Sequence, residues 1–349
     1  MPNTFKKYLF CGAAFLLAAA NLPAQTSLNK ALPLLQKKNR TAAQTQQVLT
    51  LLRTSTDPNT VFAAGASLVK TPPAKAQEPA LFNIILRATD PLKQTFAAVI
   101  LTAMGNTHTE LMPILQEGLQ SKDPVLVAYA AAAAAILDPQ DKTHTTDLVR
   151  LYAYDPAFAQ RAMNLTANSP KEQLKILKAA VSSSDALDRA AAAAWLGVLH
   201  SEEAAQVLLK RAKSENDPQV QSQLATALAK NRSYTLDDCV KGLRKNYTSP
   251  AAATYALALG FMTGNAVTPL KEALLGTHKN ARINAARAAA YMAGVLSTPD
   301  AFTYSSDRTF DISLLKSLIP QLNVLAKTGD ETLKIYAENA LKQIEKLMI

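Results

Sequence analysis

An Asp-Pro pair followed by two small residues and then an aliphatic one returns along this chain about every 32 residues. A period of that length marks stacked supersecondary units rather than one closed core. The anchors are Asp57, Asp90, Asp123, Asp155, Asp185, Asp217, Ser249, His278 and Asp330, with steps of 33, 33, 32, 30, 32, 32, 29 and 52 residues between them. Pro follows six of them, and seven and eight residues on stand pairs such as Ala64-Gly65, Ala97-Ala98, Ala130-Ala131 and Ala192-Ala193. An Asp side chain accepts from the free N–H groups that open a helix, and Pro is tolerated at the next position because its missing N–H would be unpaired there anyway. Each anchor is therefore expected to start the second, or B, helix of a pair. The small residues two turns in let a neighbouring helix come close, and the runs Ala190 to Ala194 and Ala130 to Ala135 are expected to be buried between units.

The first, or A, helices carry their own start signals. Ser169-Pro170-Lys171-Glu172 reads as a capping box, and Thr268-Pro269 as a cap of the same kind without the Glu. Ser201-Glu202-Glu203 opens a helix that closes with Lys210, Arg211 and Lys213, so acid and base complement its dipole. The pair Asp237-Asp238 is expected in the first turn of a helix that also holds Cys239. No stretch alternates apolar and polar residues as a half-buried strand would, so the fold class expected is all-α.

These units resemble the HEAT-repeat family, whose B helix typically begins Asp-Pro-x-Val-Arg and continues with paired Ala. The period is closer to the short bacterial HEAT-like units named after phycobilisome lyases than to the longer units of about 40 to 47 residues. Val220 stands at the Val position, and Arg189, Arg282 and Lys334 stand at the basic one; Val61, Gln94, Val127, Ala159, Gln221 and Ala253 occupy it elsewhere. The resemblance spans roughly residues 41 to 349 and implies a right-handed α-solenoid of about nine HEAT-like helical pairs. Tetratricopeptide and ankyrin units have similar lengths, but Trp195 is the only Trp and falls in a B helix, and Thr268-Pro269-Leu270-Lys271 is the only approach to an ankyrin signature.

Residues 1–24 read as a signal peptide: Lys6 and Lys7, an apolar run from Tyr8 to Ala20, then Asn21-Leu22-Pro23-Ala24 before Gln25. The run is too short for the roughly 20 residues that span a bilayer. The expected organisation is thus a signal peptide followed by one solenoid domain over 25–349 with an insertion at 297–313, and the expected location is the periplasm or outside the cell. Cys239 is then the only thiol left and is expected to be a small buried residue.

Chemistry is sparse. His108, His144, His200 and His278 lie far apart, and none forms a His-x-x-x-His or His-Glu pair, which removes the iron ligands of the HEAT-type deoxyhypusine hydroxylases. No Gly-rich phosphate loop or nucleophile elbow is present. The expectation is a protein with no enzymatic activity, no cofactor and no metal. The leading reading is an exported scaffold that binds a protein or peptide partner on a concave B-helix surface. Its rival is a binder of anionic polymers or lipid headgroups through residues 239–299, where seven basic residues face one acid, Glu272. Nucleic acid is not an expected partner of an exported chain, whereas an acidic partner suits the surplus. The candidate binding residues are Arg244, Lys245, Lys279, Arg282, Arg287 and Tyr291 in that stretch and Tyr304 in the insertion. Bonding within the helices would account for Arg244, Lys245 and Arg282 equally well.

Overall fold

The computed structural model describes residues 25–298 and 307–347; the expected signal peptide and Tyr304 lie outside the described residues. Every regular element among the described residues is helical, and the arrangement is an all-α, HEAT-like solenoid of antiparallel pairs. The chain divides after Ala180 into two compact units.

The first unit begins with α1 (Gln25–Leu35) and continues through the pairs α2 (Ala42–Thr54) with α3 (Pro58–Lys70), α4 (Glu78–Arg87) with α5 (Pro91–Ala103), and α6 (Met112–Leu119) with α7 (Pro124–Leu137). It ends with α8 (Thr145–Leu151), α9 (Pro156–Thr166) and α10 (Pro170–Ala180). The second unit comprises α11 (Ala186–Leu196), α12 (Glu202–Ala212), α13 (Pro218–Lys230), α14 (Arg232–Gly242), α15 (Pro250–Phe261), α16 (Gly264–Leu275), α17 (Lys279–Ser297), α18 (Arg308–Lys316), α19 (Ile319–Thr328) and α20 (Glu331–Glu345). In the first unit the B helices α3, α5, α7 and α9 stack in order, and in the second α11, α13, α15, α17 and α20 do the same.

All nine anchors cap the N-terminus of a B helix through their side chains. Asp217, for example, accepts from Gln219 N at 2.8 Å and Val220 N at 3.1 Å, and Ser249 accepts from Ala252 N at 3.2 Å. Even His278 serves, its Nδ1 lying 3.4 Å from Ala281 N. The small residues behind the caps are buried where B helices meet. Ala64, Ala97, Ala192, Ala225 and Ala285 are fully buried, whereas Ala134, Ala190 and Ala194 are part-exposed because they turn to the far side of the helix. A Cβ on Gly260 would come within 2.7 Å of Tyr291 Cβ and 3.1 Å of Met292 N, so glycine there sets the approach of α15 to α17. In the first unit the stack carries an aromatic ladder, with ring centroids 5.0 Å apart for Phe62 and Phe96, 5.7 Å for Phe96 and Tyr129, and 6.5 Å for Tyr129 and Phe158. Such pairs add to area burial in the core.

Carbonyls at the other helix ends find donors from farther away. Arg40 donates to Ser67 O at 2.8 Å in the last turn of α3 and to Thr71 O at 2.9 Å just after it; Arg161 donates to Ala103 O at 2.7 Å at the end of α5; Arg308 donates to Val295 O at 3.1 Å and Thr298 O at 2.6 Å beside the end of α17. In four units the fourth residue after the anchor has the same task. Gln94, Arg189, Gln221 and Arg282 donate to the carbonyl two residues before the anchor, which is Ala88 at 2.9 Å, Ser183 at 3.1 Å, Glu215 at 2.8 Å and Gly276 at 2.5 Å. Gln and Arg alternate here because the bond needs an N–H of the right reach and not a charge.

Two A helices start earlier than expected. α16 begins at Gly264, so Pro269 lies inside it and Thr268 is no cap. Thr263, at φ +49°, turns the chain straight from α15 into α16, and only glycine at 264 leaves room for the Asp311 carboxylate. That carboxylate stands at the positive end of α16, a favourable place for it. Likewise α14 begins at Arg232, which puts Asp237-Asp238 in mid-helix rather than in the first turn. Asn231 makes this tight junction by donating to Gly197 O at 3.1 Å and Ala227 O at 3.0 Å. In α10 the Ser169 cap forms, accepting from Glu172 N at 3.2 Å, but Glu172 reaches back to Asn168 N at 2.9 Å, one residue beyond the usual capping-box partner. The stretch after Lys70 is less plain a connector than expected, since Lys75–Gln77 forms a 3₁₀ turn and α4 starts at Glu78.

The shared role of Gln and Arg at the fourth position generates a test. Arg282→Gln should leave the denaturant midpoint nearly unchanged, whereas Arg282→Leu, which strands the Gly276 carbonyl, should lower stability by about 1 kcal/mol in urea unfolding.

Candidate functional site

The basic surplus of residues 239–299 sorts by geometry into cations already engaged and cations without a partner. Arg282 is bonded to Gly276 O. Arg287 donates to the Tyr336 hydroxyl at 2.7 Å, its guanidinium carbon 5.0 Å from that ring's centroid, and Tyr247 packs edge-on against the same ring at 6.1 Å. Lys279 pairs with Asp330 at 3.0 Å in an exposed bridge. Tyr291 is half-buried; desolvation pushes its phenol up, with Arg287 acting in the opposite direction. These B-helix residues hold α17 against its neighbours.

Arg244 and Lys245 are placed differently. They follow the end of α14 in a turn whose Leu243 and Lys245 carbonyls accept from Asn284 Nδ2 at 2.8 and 3.1 Å. That turn is therefore fixed from α17 while its two cationic side chains stay exposed. They stand at the mouth of a cleft of about 390 Å³ between the A helices α12 and α14. Lys213, just past the end of α12, and Lys241 on α14 line it as well. Among the described residues none of these four cations has an acid within ion-pair distance. Asp238 on α14 and Gln206 on α12 complete the polar walls.

The floor is made by Leu209, Gly242 and Tyr255. A Cβ on Gly242 would strike the Tyr255 ring, so the glycine is what lets this tyrosine pass from α15 beneath α14. Tyr255 is 2% exposed, and its hydroxyl lies 3.5 Å from Leu209 O, the outer limit of a hydrogen bond. Burial first, then the neighbouring Cys239 and Asp238, raise the phenol to about 12, so it stays a proton donor. Cys239 beside it is fully buried, and burial, reinforced by Asp238, pushes its thiol far above the ordinary range; it is the small buried residue expected, without thiolate chemistry.

Two further cations of the second unit are tied to a buried acid. Glu215, its side chain 2% exposed, accepts from Arg189 Nε at 2.8 Å and Nη2 at 3.1 Å, from Arg211 Nη2 at 2.7 Å, and from Asp217 N at 2.9 Å. Burial alone would raise this carboxyl, but the bonds from Arg189, the Asp217 backbone and Arg211 together bring it down to about 2. Of the cluster Lys210, Arg211 and Lys213 that closes α12, Arg211 thus serves structure and Lys213 faces the cleft.

Sequence reasoning chooses Arg244 and Lys245 and counts Lys241 and Tyr255 in the same stretch, but does not join them into one site with Lys213, Gln206 and Asp238. Lys213 is legible only as a dipole complement, and Tyr255 only as one of the aromatics within residues 239–299. Of the insertion, Arg308 is engaged at the end of α17, Phe310 is 57% exposed and Asp311 is buried. No group of three His, Cys, Asp or Glu residues suited to a metal occurs among the described residues, and no described helix is long and apolar enough to cross a membrane.

No protein-family model matches the chain, and no curated protein matches it by sequence. Among solved structures it is similar to Kap121p bound to Pho4p, with a TM-score of 0.39, 13% identity, 98% of this chain covered and 46% of that one. It is similar to the karyopherin Kap121p bound to the SUMO protease Ulp1p at 0.38 and 13%, again over 98% and 46%. A tubulin-recruiting array of TOG domains follows at 0.27 and 12%, over 94% of this chain and 93% of that one. The chain spans less than half the length of the karyopherin chains. At such scores and identities its function has to be read from its own residues.

The Glu215 triad gives a pH test. Its folded-state value of about 2 lies below the ordinary 4.5, so its contribution is present above pH 4.5 and is lost as pH falls towards 2. Glu215→Gln should cost about 3 kcal/mol near neutral pH and only about 1 kcal/mol near pH 3, read from urea unfolding at the two pH values.

Proposed function

We infer that the chain is an exported, non-enzymatic HEAT-like repeat scaffold that binds a protein or peptide partner, its repeats being of the short bacterial kind found in phycobilisome lyases. The observation that carries the binding reading is the group of four unpartnered cations around the cleft between α12 and α14. Elsewhere in the second unit Arg189, Arg211, Arg282, Arg287, Lys279 and Arg308 are spent on carbonyls, carboxylates or a tyrosine. Four positive groups around one cleft, with Asp238 the one acid in its lining and not in ion-pair contact with any of them, repel one another, a cost that an acidic ligand relieves. This reading favours the A-helix cleft over the B-helix surface, where Arg282 and Arg287 already have partners. Location in the periplasm or outside the cell rests on the pattern of residues 1–24.

The test is site-specific photocrosslinking in the native envelope from Gln206, exposed at the cleft, and from Asn339, exposed on α20. A discrete partner protein should crosslink from Gln206 and not from Asn339, and less of it should be captured as salt rises. Crosslinking to no protein from Gln206, or fractionation of the chain with the cytoplasm, contradicts the reading.

A further inference from the structure

Resting on that reading, we propose that the cleft between α12 and α14 is a receptor for an acidic peptide segment, in which Lys213, Lys241, Arg244 and Lys245 meet the carboxylates and the buried Tyr255 hydroxyl donates to one of them. Three features separate this ligand from other anions. The first is extent. Of the seven cations in residues 239–299, Lys241, Arg244 and Lys245 line one cleft of about 390 Å³, Lys279, Arg282 and Arg287 are engaged, and Lys271 alone stands free outside it, so the stretch presents a spot and not a stripe. A polyanion backbone is held by a long track of such charges, and a short acidic segment is not.

The second is the presence of acceptors. Asp238 and the Gln206 amide stand in the cleft wall beside the cations. Asp238 repels the charged groups of any anion, and a phosphate polymer or headgroup offers it only oxygen acceptors, while a peptide also brings backbone N–H groups that Asp238 and the Gln206 carbonyl can accept. The third is the floor. Tyr255 is 2% exposed and lines the cleft, and its hydroxyl has only a 3.5 Å contact to Leu209 O. A buried donor so weakly satisfied is available to a carboxylate, and a hydrogen bond to a charged acceptor is the stronger kind. Gly242 lies against the Tyr255 ring and Leu209 lines the cleft beside it, an apolar floor that suits the methylene stem of a Glu.

The measurement is fluorescence anisotropy with fluorescein-labelled hexaglutamate as the probe, against the full mature chain. Lys241→Gln with Lys245→Gln should weaken binding about tenfold, and Lys271→Gln, a cation of the same stretch outside the cleft, should leave it unchanged. Tyr255→Phe keeps the ring and should weaken binding about threefold with an unchanged helical signal. Inorganic phosphate and phosphatidylglycerol vesicles should compete poorly at matched charge. An equal loss in Lys271→Gln would show diffuse charge attraction and overturn the site, as would vesicles displacing the peptide through the same lysines, which would make it a headgroup site. Absence of hexaglutamate binding while Gln206 still crosslinks a protein overturns the acidic-segment assignment alone; absence of both removes the scaffold reading with it.

Discussion

The ends of helices are the constraint on which this structure depends. Each α-helix leaves four N–H groups and four carbonyls without partners in its own backbone, and a fold made of many short helices multiplies that cost. The chain meets the N–H side locally, with an Asp, Ser or His placed directly before each B helix. It meets the carbonyl side at a distance, with Arg40, Arg161, Arg189, Arg282 and Arg308 reaching across turns and pairs. Much of the basic character is therefore a capping inventory. The net charge of the sequence overstates what is available to a ligand.

That division explains what could be read from the sequence and what could not. All nine B-helix starts were legible because a side-chain cap acts over two or three residues and recurs with the repeat. The starts of α14 and α16 were not, because Asn231 bonds to Gly197, 34 residues earlier, and Gly264 is matched to Asp311, 47 residues later. A Thr-Pro pair signals a helix start only when nothing farther off has already set one, and here Thr263 and Gly264 had. At the family's basic position the sequence shows Arg189, Arg282 and Lys334 interrupted by Gln94 and Gln221 as well as by Val and Ala. What recurs there is a donor to one carbonyl position, present in four of the units.

The candidate site shows the same limit from the other side. A surplus of positive charge in residues 239–299 could be counted, yet the count does not separate Arg287, bonded to Tyr336, from Lys245, bonded to nothing acidic. Nor does it bring in Lys213, which lies 28 residues before Lys241 and meets it only because consecutive A helices pack side by side. Tyr255 joins them through the absence of a side chain at Gly242, a contact no local pattern announces. The cleft is thus built by the repeat itself: the A helices supply its walls and a B-helix aromatic its floor.

The central claim is that structural and ligand-facing cations are separate sets, and single neutralisations measured for both folding and binding test it most directly. Lys213→Gln, Lys241→Gln, Arg244→Gln and Lys245→Gln should each weaken hexaglutamate binding while moving the urea midpoint by less than about 0.5 kcal/mol equivalent. Arg189→Leu and Arg308→Leu should each cost more than about 1 kcal/mol of stability and leave the affinity of the folded protein unchanged. Loss of binding and loss of stability appearing together in both sets would contradict the account.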